Sequence, residues 1–458
     1  VEPALRNGPV PAQLLQFATQ HCIDRGDDLG VISGAVRRLK LYQALGFEAF
    51  GPVVGTAEAP YQPMFLTLEK FLRTCATRPS LRRSAAEEAA AERETVNLLP
   101  GPVGISPRVL AAFARPPLSH RAPEFVALLA TVRRRLAALT RAADVQVLPG
   151  SGSLANDIVA GQLAGLRGRG IVISTGEFGE RLAEHARRAK LEFHWMRLPW
   201  GTPIGSDTLA DAMAKAEGCR WLWMVHHETS TSVMNDLSLV KAFARQHGLA
   251  LCLDCVSSVG AVPVDLSEVH LATAASGKGL ASLPGLALMF HQEAPTPRQD
   301  LPRYLDLGLI AASESVPFTH SSNLVAALDV ALAEVERLPG GRCGSDEDAA
   351  WLRGELRAAG FALVADEAHA SPIIVTVQLP SKSNVLRVGA ALERRGFLTS
   401  YRSGYLARRN WIQFCLMSRP SRAALERLVV ELREIATPPA PYATVIALPA
   451  SQPVVHAD

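Results

Sequence analysis

Lys278 stands in the run Ala274-Ala275-Ser276-Gly277-Lys278-Gly279-Leu280, among small residues at the exit of an apolar strand-like segment, where a solvated charge is out of place. Upstream, Asp254 ends a second apolar segment, Leu251-Cys252-Leu253, ahead of Cys255-Val256-Ser257-Ser258. A buried amine and a buried carboxylate on neighbouring strands suit pyridoxal phosphate, for which a lysine forms the Schiff base and an acid holds the pyridinium nitrogen. Either residue alone is as readily a surface lysine or a strand-end aspartate, so the weight rests on what accompanies them. Pro149-Gly150-Ser151-Gly152-Ser153-Leu154-Ala155-Asn156-Asp157 lies between a strand and a helix. Small residues there expose backbone N–H groups at a helix start, where the macrodipole favours a phosphate. Ser151 and Ser153 add hydroxyls suited to a monophosphate. The same Gly150-x-Gly152-x-x-Ala155 pattern fits a dinucleotide loop, with Glu177 as the ribose acid, so an NAD-dependent oxidoreductase is the rival reading. No Gly-Lys-Ser/Thr closes the loop as in a P-loop, and a dinucleotide site has no evident use for Asp254 and Lys278.

Three further positions lie where a flat cofactor would touch them. Phe178 follows the second strand and can stack on a ring, though an ordinary core phenylalanine reads the same. In His226-His227-Glu228-Thr229, adjacent strand residues face opposite ways, so the two histidines do not readily share one metal. A contact from the Thr229 hydroxyl to a cofactor oxygen is the better reading there. Ser276, beside Lys278, is expected at the cofactor, and Gly101, in the lead-in segment Asn97-Leu98-Leu99-Pro100-Gly101-Pro102, at the substrate.

The elements that must position these residues read as α/β. Val145–Leu148, Gly170–Ser174, Glu192–Arg197, Trp221–His226, Leu249–Leu253, Leu271–Ala275 and Leu286–Phe290 are strand candidates separated by amphipathic helices. That alternation predicts a seven-stranded, mostly parallel sheet covered on both faces. Ser106 with Pro107 starts a helix as a cap followed by a first-turn proline. Residues 323–338 form one long helix, after which 346–435 alternate helices with shorter strands, as a smaller C-terminal α+β domain would.

Taken together, these residues resemble a class V aminotransferase of the fold-type I pyridoxal phosphate enzymes, nearest the alanine–glyoxylate, serine–pyruvate and 2-aminoethylphosphonate transaminases. The resemblance runs from about Asn97 to Ile435 and includes Ser119-His120-Arg121-Ala122-Pro123-Glu124-Phe125. It implies that Lys278 carries the cofactor, Asp254 pairs with its ring nitrogen, Ser151, Gly152 and Ser153 bind its phosphate, Phe178 stacks on it and Thr229 contacts its hydroxyl. It implies a ping-pong transfer from a small amino acid or aminophosphonate to a 2-oxo acid. It also implies a homodimer in which Thr319 reaches the phosphate of the partner subunit. Two positions depart from the family. Gln413, in Asn410-Trp411-Ile412-Gln413-Phe414-Cys415, stands where members carry the arginine that clamps the substrate acid, and an amide loses the bidentate, charge-assisted pair. Arg402, Arg408 or Arg409 could substitute; failing that, the substrate is atypical, or the chain keeps its cofactor without transaminating. Gly277 stands where alanine–glyoxylate enzymes often carry glutamine. Cysteine desulfurases carry histidine there and need a loop cysteine, for which Cys343 falls too early.

The chain divides by composition into residues 1–77, a charged Ala/Glu/Arg linker at 78–94, a cofactor-binding domain at 95–338, a small domain at 339–436 and a proline-rich tail at 437–458. Residues 1–77 are expected as a short α/β appendage, with a helix over 13–27, a strand at Leu29–Ser33 and a helix over 36–45. Leu41-Tyr42-Gln43-Ala44-Leu45-Gly46-Phe47 resembles the C-terminal half of a GNAT-type acyltransferase. Only Arg6-Asn7-Gly8-Pro9-Val10-Pro11-Ala12 is available as its pyrophosphate loop, and two prolines remove amide donors there. A truncated remnant or docking piece is expected, with an unrelated appendage as the alternative.

A net charge of +3 over 458 residues gives no case for nucleic acid or an anionic membrane. No apolar run reaches the ~18 residues of a membrane span. Seven cysteines, odd in number, argue against a disulfide framework or zinc site, and the cytosol is the expected compartment. The chain opens on valine, as a fragment or an unusual start codon would give.

Overall fold

The computed structural model describes residues 29–44, 46–56, 59–67, 70, 95–313, 315–343 and 345–436. The expected helix at 13–27, the Arg6–Ala12 loop, the linker and the tail lie outside these residues. The chain separates into two compact units, Val1–Arg93 and Glu94–Asp458.

In the first unit, β1 (Leu29–Ala35) leads through a 3₁₀ turn at Val36–Arg38 into α1 (Leu39–Ala44). β2 (Glu48–Ala49), β3 (Val54–Gly55) and β4 (Pro60–Thr67) follow, each pairing antiparallel with or through β4. β1 pairs with β4 over its whole length, from Leu29 opposite Thr67 to Ala35 opposite Tyr61. The expected strand is therefore present and longer than read, whereas the helix at 36–45 begins as a 3₁₀ turn.

The second unit opens with β5 (Val96–Leu98), α2 (Pro107–Phe113) and α3 (Pro123–Thr140). Ser106 caps α2 through the amide of Val109, with Pro107 in the first turn as its fixed φ allows. Then β6 (Asp144–Pro149), α4 (Gly152–Gly165), β7 (Arg169–Ser174), α5 (Glu177–Arg188), β8 (Phe193–Arg197), α6 (Ser206–Ala216) and β9 (Cys219–Val225) alternate. The short pair β10 (His227–Glu228) and β11 (Val233–Met234) precedes α7 (Leu237–Gln246), β12 (Ala250–Asp254), β13 (Leu271–Ala275) and β14 (Leu286–His291). All seven expected strands join one sheet in the order β6-β14-β13-β12-β9-β7-β8. β14 runs antiparallel to both neighbours while the other pairs are parallel. Helices cover both faces, and fully buried Trp221, Trp223 and Leu222 show how continuous the apolar runs are.

After α8 (Leu307–Ala311), α9 (Ser322–Val335) and α10 (Asp346–Ala358), a three-stranded sheet forms from β15 (Ala362–Leu363), β16 (Ile374–Gln378) and a later strand. α11 (Val385–Arg394), β17 (Phe397–Thr399), α12 (Gly404–Arg409), that strand, β18 (Trp411–Cys415), and α13 (Arg422–Ala436) complete the layer. Its own core includes Leu352, Val377, Phe397, Phe414 and Leu428. Leu98 joins that core and β5 pairs in parallel with β17, so the lead-in segment packs with the C-terminal layer although it precedes the large sheet in sequence.

Candidate active site

In parallel strands the C-terminal ends share one edge of the sheet, and ligands bind in the crevice outside it. Asp254 ends β12, and Lys278 follows β13, its parallel neighbour, in which Asp254 is in register with Thr273. Both open on a cavity of about 370 Å³ that also takes in Gly101, Gly150–Ser153, Asn156, Phe178, Arg181, His227 and Ser257. The two residues read as carrying chemistry are thus brought together with Gly150–Ser153 and Phe178.

Asp254 is buried, and its Oδ2 accepts from Asn156 Nδ2 at 2.8 Å while Oδ1 accepts from the amide of Val256 at 2.9 Å. Burial pushes its pKa up, more than these hydrogen bonds lower it. Asp254 makes no ion pair among the described residues, so a cation on the cavity side would complete it. Burial likewise pushes the pKa of Lys278 down, which favours the neutral, nucleophilic amine. Gly101 lies close against it. A Cβ at that position would sit 3.1 Å from Lys278 Cε, with φ at +155°. Gly277 leaves room for Pro284, whose Cβ lies 2.8 Å from where a side chain would begin. The glutamine of the resembling enzymes has no space there.

At the start of α4, Ser151 is the N-cap yet its side chain makes no capping bond, so among the described residues its hydroxyl and the first amides of the helix have no partner. Phe178 lies in the first turn of α5, whose start is fixed from below by Glu228. This carboxylate accepts from the amides of Gly179 (2.9 Å), Phe178 (3.3 Å) and Ser230 (3.2 Å) and from the Ser230 hydroxyl. Glu228 is fully buried, and burial pushes it up to about 7.

Several expected contacts fall elsewhere. Gln413 is wholly buried and does not line the cavity. Its Nε2 donates to the carbonyls of Thr229 and Ser230 (3.1 Å for the latter) and to Thr376 Oγ1 (2.9 Å), and its Oε1 accepts from the Tyr405 hydroxyl at 3.1 Å. An amide suits that mix of acceptors and donor, and it ties β18 to the turn after β10. Arg402 is exposed, held by Glu393 at 2.8 Å and lying over the Tyr401 ring, outside the cavity. Arg409 packs on Trp200 and Trp411, and Arg408 lies back against Gly404. Thr229 is buried but not among the cavity-lining residues; the residue from that turn that lines it is His227. The Ser276 hydroxyl donates to Leu283 O and accepts from Leu286 N, closing the loop between β13 and β14. Thr319 is exposed. Glu177, the ribose acid of the dinucleotide reading, is engaged by Arg181.

Asn156, His185, His227 and Arg181 also line the cavity and were not assigned to the site from the sequence. Asn156, one turn into α4, orients Asp254 and accepts from Thr273 Oγ1 at 3.1 Å. His185 pairs with Asp157 at 2.6 Å. His227 Nδ1 faces Ser257 O at 3.3 Å while its Nε2 is buried without a partner, and burial pushes the ring down to about 3. Strand alternation separated His226 from His227 but could not say which face meets the cavity. Arg181, one turn beyond Phe178, is the fourth.

Elsewhere, a depression of about 650 Å³ at Leu139–Arg141, Lys241 and Arg245 is basic, but each cation there is paired with Asp265, Glu268 or Asp346. Cys252 and Cys255, three apart, are buried free thiols, and no group of His, Cys, Asp and Glu among the described residues could hold a metal ion. No described helix is long and apolar enough to cross a membrane.

The chain is similar to known proteins of one family. The family model for aminotransferase class-V matches residues 109–301. The soluble hydrogenase 42 kDa subunit of Anabaena cylindrica is 32% identical over 62% of this chain and 78% of its own length. The 2-aminoethylphosphonate–pyruvate transaminase of Pseudomonas aeruginosa is 28% identical over 64% and 82% respectively. Among solved structures, alanine–glyoxylate aminotransferase from Nostoc sp. superposes with a TM-score of 0.67 at 26% identity, covering 75% of this chain and 95% of that one.

Proposed function

Since the chain belongs to the class-V aminotransferase family, we propose that it holds pyridoxal phosphate on Lys278 and moves an amino group from a small amino acid or aminophosphonate to a 2-oxo acid. The observation that carries this is the half-buried amine of Lys278 sharing one cavity with the buried Asp254, which has no ion pair among the described residues, at adjacent strand ends. The donor set suits the cofactor: uncommitted Ser151 and Ser153 at the start of α4 for the phosphate, Asp254 for the ring nitrogen, Phe178 for one ring face. When bound, pyridoxal phosphate supplies an aldehyde carbon that takes the amino group and a protonated ring that draws electrons.

The protein's part follows from burial and position. Asp254, braced by Asn156 and Val256, holds a proton on the ring nitrogen by offering it a fixed anion. Lys278, once released by the donor amine, is a half-buried base whose pKa desolvation lowers, able to take the proton from the substrate Cα and return it on the other side of the transfer. Phe178, its backbone pinned by Glu228, lines the cavity where its ring would face the cofactor. Thr319, exposed on this chain, would meet the phosphate of a partner subunit in a homodimer.

The test is visible absorption of the purified protein with added pyridoxal phosphate, before and after alanine, serine or 2-aminoethylphosphonate. A yellow band that bleaches with one donor is expected. Lys278→Ala should abolish both the band and turnover, and a variant that still transaminates would end this reading.

A further inference from the structure

Amino acids and 2-oxo acids share a carboxylate that must be held while the neighbouring carbon reacts. None of the groups that the sequence offered for this reaches the cavity: Gln413 is spent on Thr229, Ser230, Thr376 and Tyr405, and Arg402, Arg408 and Arg409 lie outside it. Among the described residues that line the cavity, the lysine and arginine side chains are Lys278 and Arg181. Lys278 is committed to the cofactor in the reading above, and His185 is held by Asp157. Arg181 remains.

Its surroundings orient it. Arg181 Nε and Nη2 both donate to Glu177 Oε1, at 3.2 and 3.0 Å, one turn back on α5. Its guanidinium carbon lies 5.1 Å from the centre of the Phe178 ring. With the Nε–Nη2 side taken, the Nη1–Nη2 edge has no protein partner among the described residues. That edge is a planar two-pronged donor matched to a carboxylate, with charge assistance that a lysine or an amide lacks. The field of Arg181 reaches both Lys278 and Tyr405, the residue that holds Gln413. The charge absent from β18 is present at the cavity on α5.

We infer that Arg181 is the specificity-determining residue that binds the substrate carboxylate, with Glu177 and Phe178 holding its free edge in place. This rests on the transaminase reading of the same cavity. It makes α-amino acids and 2-oxo acids the substrate class and places a phosphonate, which is tetrahedral, second.

The test uses the pyridoxal phosphate-loaded protein and two halves of alanine: isobutyrate, which keeps the carboxylate and has no amine to react, and isopropylamine, which keeps the amine and so engages the cofactor without a carboxylate. Dissociation constants are read by calorimetry, and the visible band confirms loading. Arg181→Met should weaken isobutyrate binding about tenfold or more, the loss of a charged hydrogen-bonded pair. It should raise the KM for alanine similarly, with the band and isopropylamine binding unchanged. Arg181→Lys should recover only part of the isobutyrate affinity, since it keeps the charge and loses the fork. Unchanged isobutyrate binding in a yellow Arg181→Met protein would overturn the inference and leave the transaminase reading standing. Equal losses for both halves, or a larger loss for 2-aminoethylphosphonate than for alanine, would overturn it as well. Absence of any band in the unsubstituted protein would instead strike the transaminase reading first.

Discussion

Gln413 and Arg402 were each candidates for the substrate acid, and neither has a free hydrogen-bonding group facing it. Replacing Gln413 by leucine leaves the carbonyls of Thr229 and Ser230 and the Tyr405 hydroxyl buried without that partner. Stability should fall by roughly 2–4 kcal/mol, a few buried hydrogen bonds at about 1 kcal/mol each plus unsatisfied groups. The measurement is the urea midpoint together with the KM for alanine. A KM rising more than the stability loss explains would restore Gln413 to the substrate. Asp254→Asn should behave differently: the side chain keeps its size but loses its anion, so cofactor remains bound through its phosphate while turnover falls by about two orders of magnitude or more. Asp254 and Lys278 were legible because a charge at the end of an apolar run is costly unless it is used. The burden on Gln413 was not legible, because its four partners lie on β16, α12 and the turn after β10, which only tertiary packing brings together.

At the scale of elements, the alternation of apolar segments sufficed to place seven strands, since a strand covered on both faces leaves a continuous apolar run. It could not give the direction of β14. Leu286–His291 reads the same in either sense, and the reversal is set by the short loop from Lys278 to Gly285, which Ser276 ties off through Leu283 and Leu286. Helix α5 depends on a residue outside itself: Glu228 binds the amides of Phe178 and Gly179, two of its free N-terminal donors. Burial raises Glu228 from 4.5 to about 7. The folded state then binds more protons than the unfolded state between these values, so this group's contribution is present below about 4.5 and lost as pH rises through about 7. Glu228→Gln removes the titration at the cost of mispairing one amide donor. The melting temperature of the variant, relative to the unsubstituted protein, should therefore be lowest near pH 4.5 and recover toward pH 7. A difference independent of pH across that range would show that Glu228 is ionised throughout.

For the whole molecule, every residue lining the candidate site lies between Gly101 and Gly285, and the family match at 109–301 falls in the same unit. The large sheet and the C-terminal layer, with its inserted β5, form one compact unit from Glu94 onward. The described part of the first unit is a small antiparallel sheet with one short helix. Its sequence suggested an acyltransferase remnant on a short run around Tyr42 and Gly46, a signal too local to identify a fold, because turn and strand chemistry of that kind recurs in many small sheets. The two units should accordingly be separable in function. A chain beginning at Glu94 keeps both cores and all lining residues, so it should bind pyridoxal phosphate with the same visible band and an affinity within about threefold of the full chain, a difference below 1 kcal/mol. Absorption and calorimetry on both chains decide this. A truncated protein that stays folded by circular dichroism but loses the band would mean that residues 1–93 act on the site, and would give the first unit a role in cofactor capture.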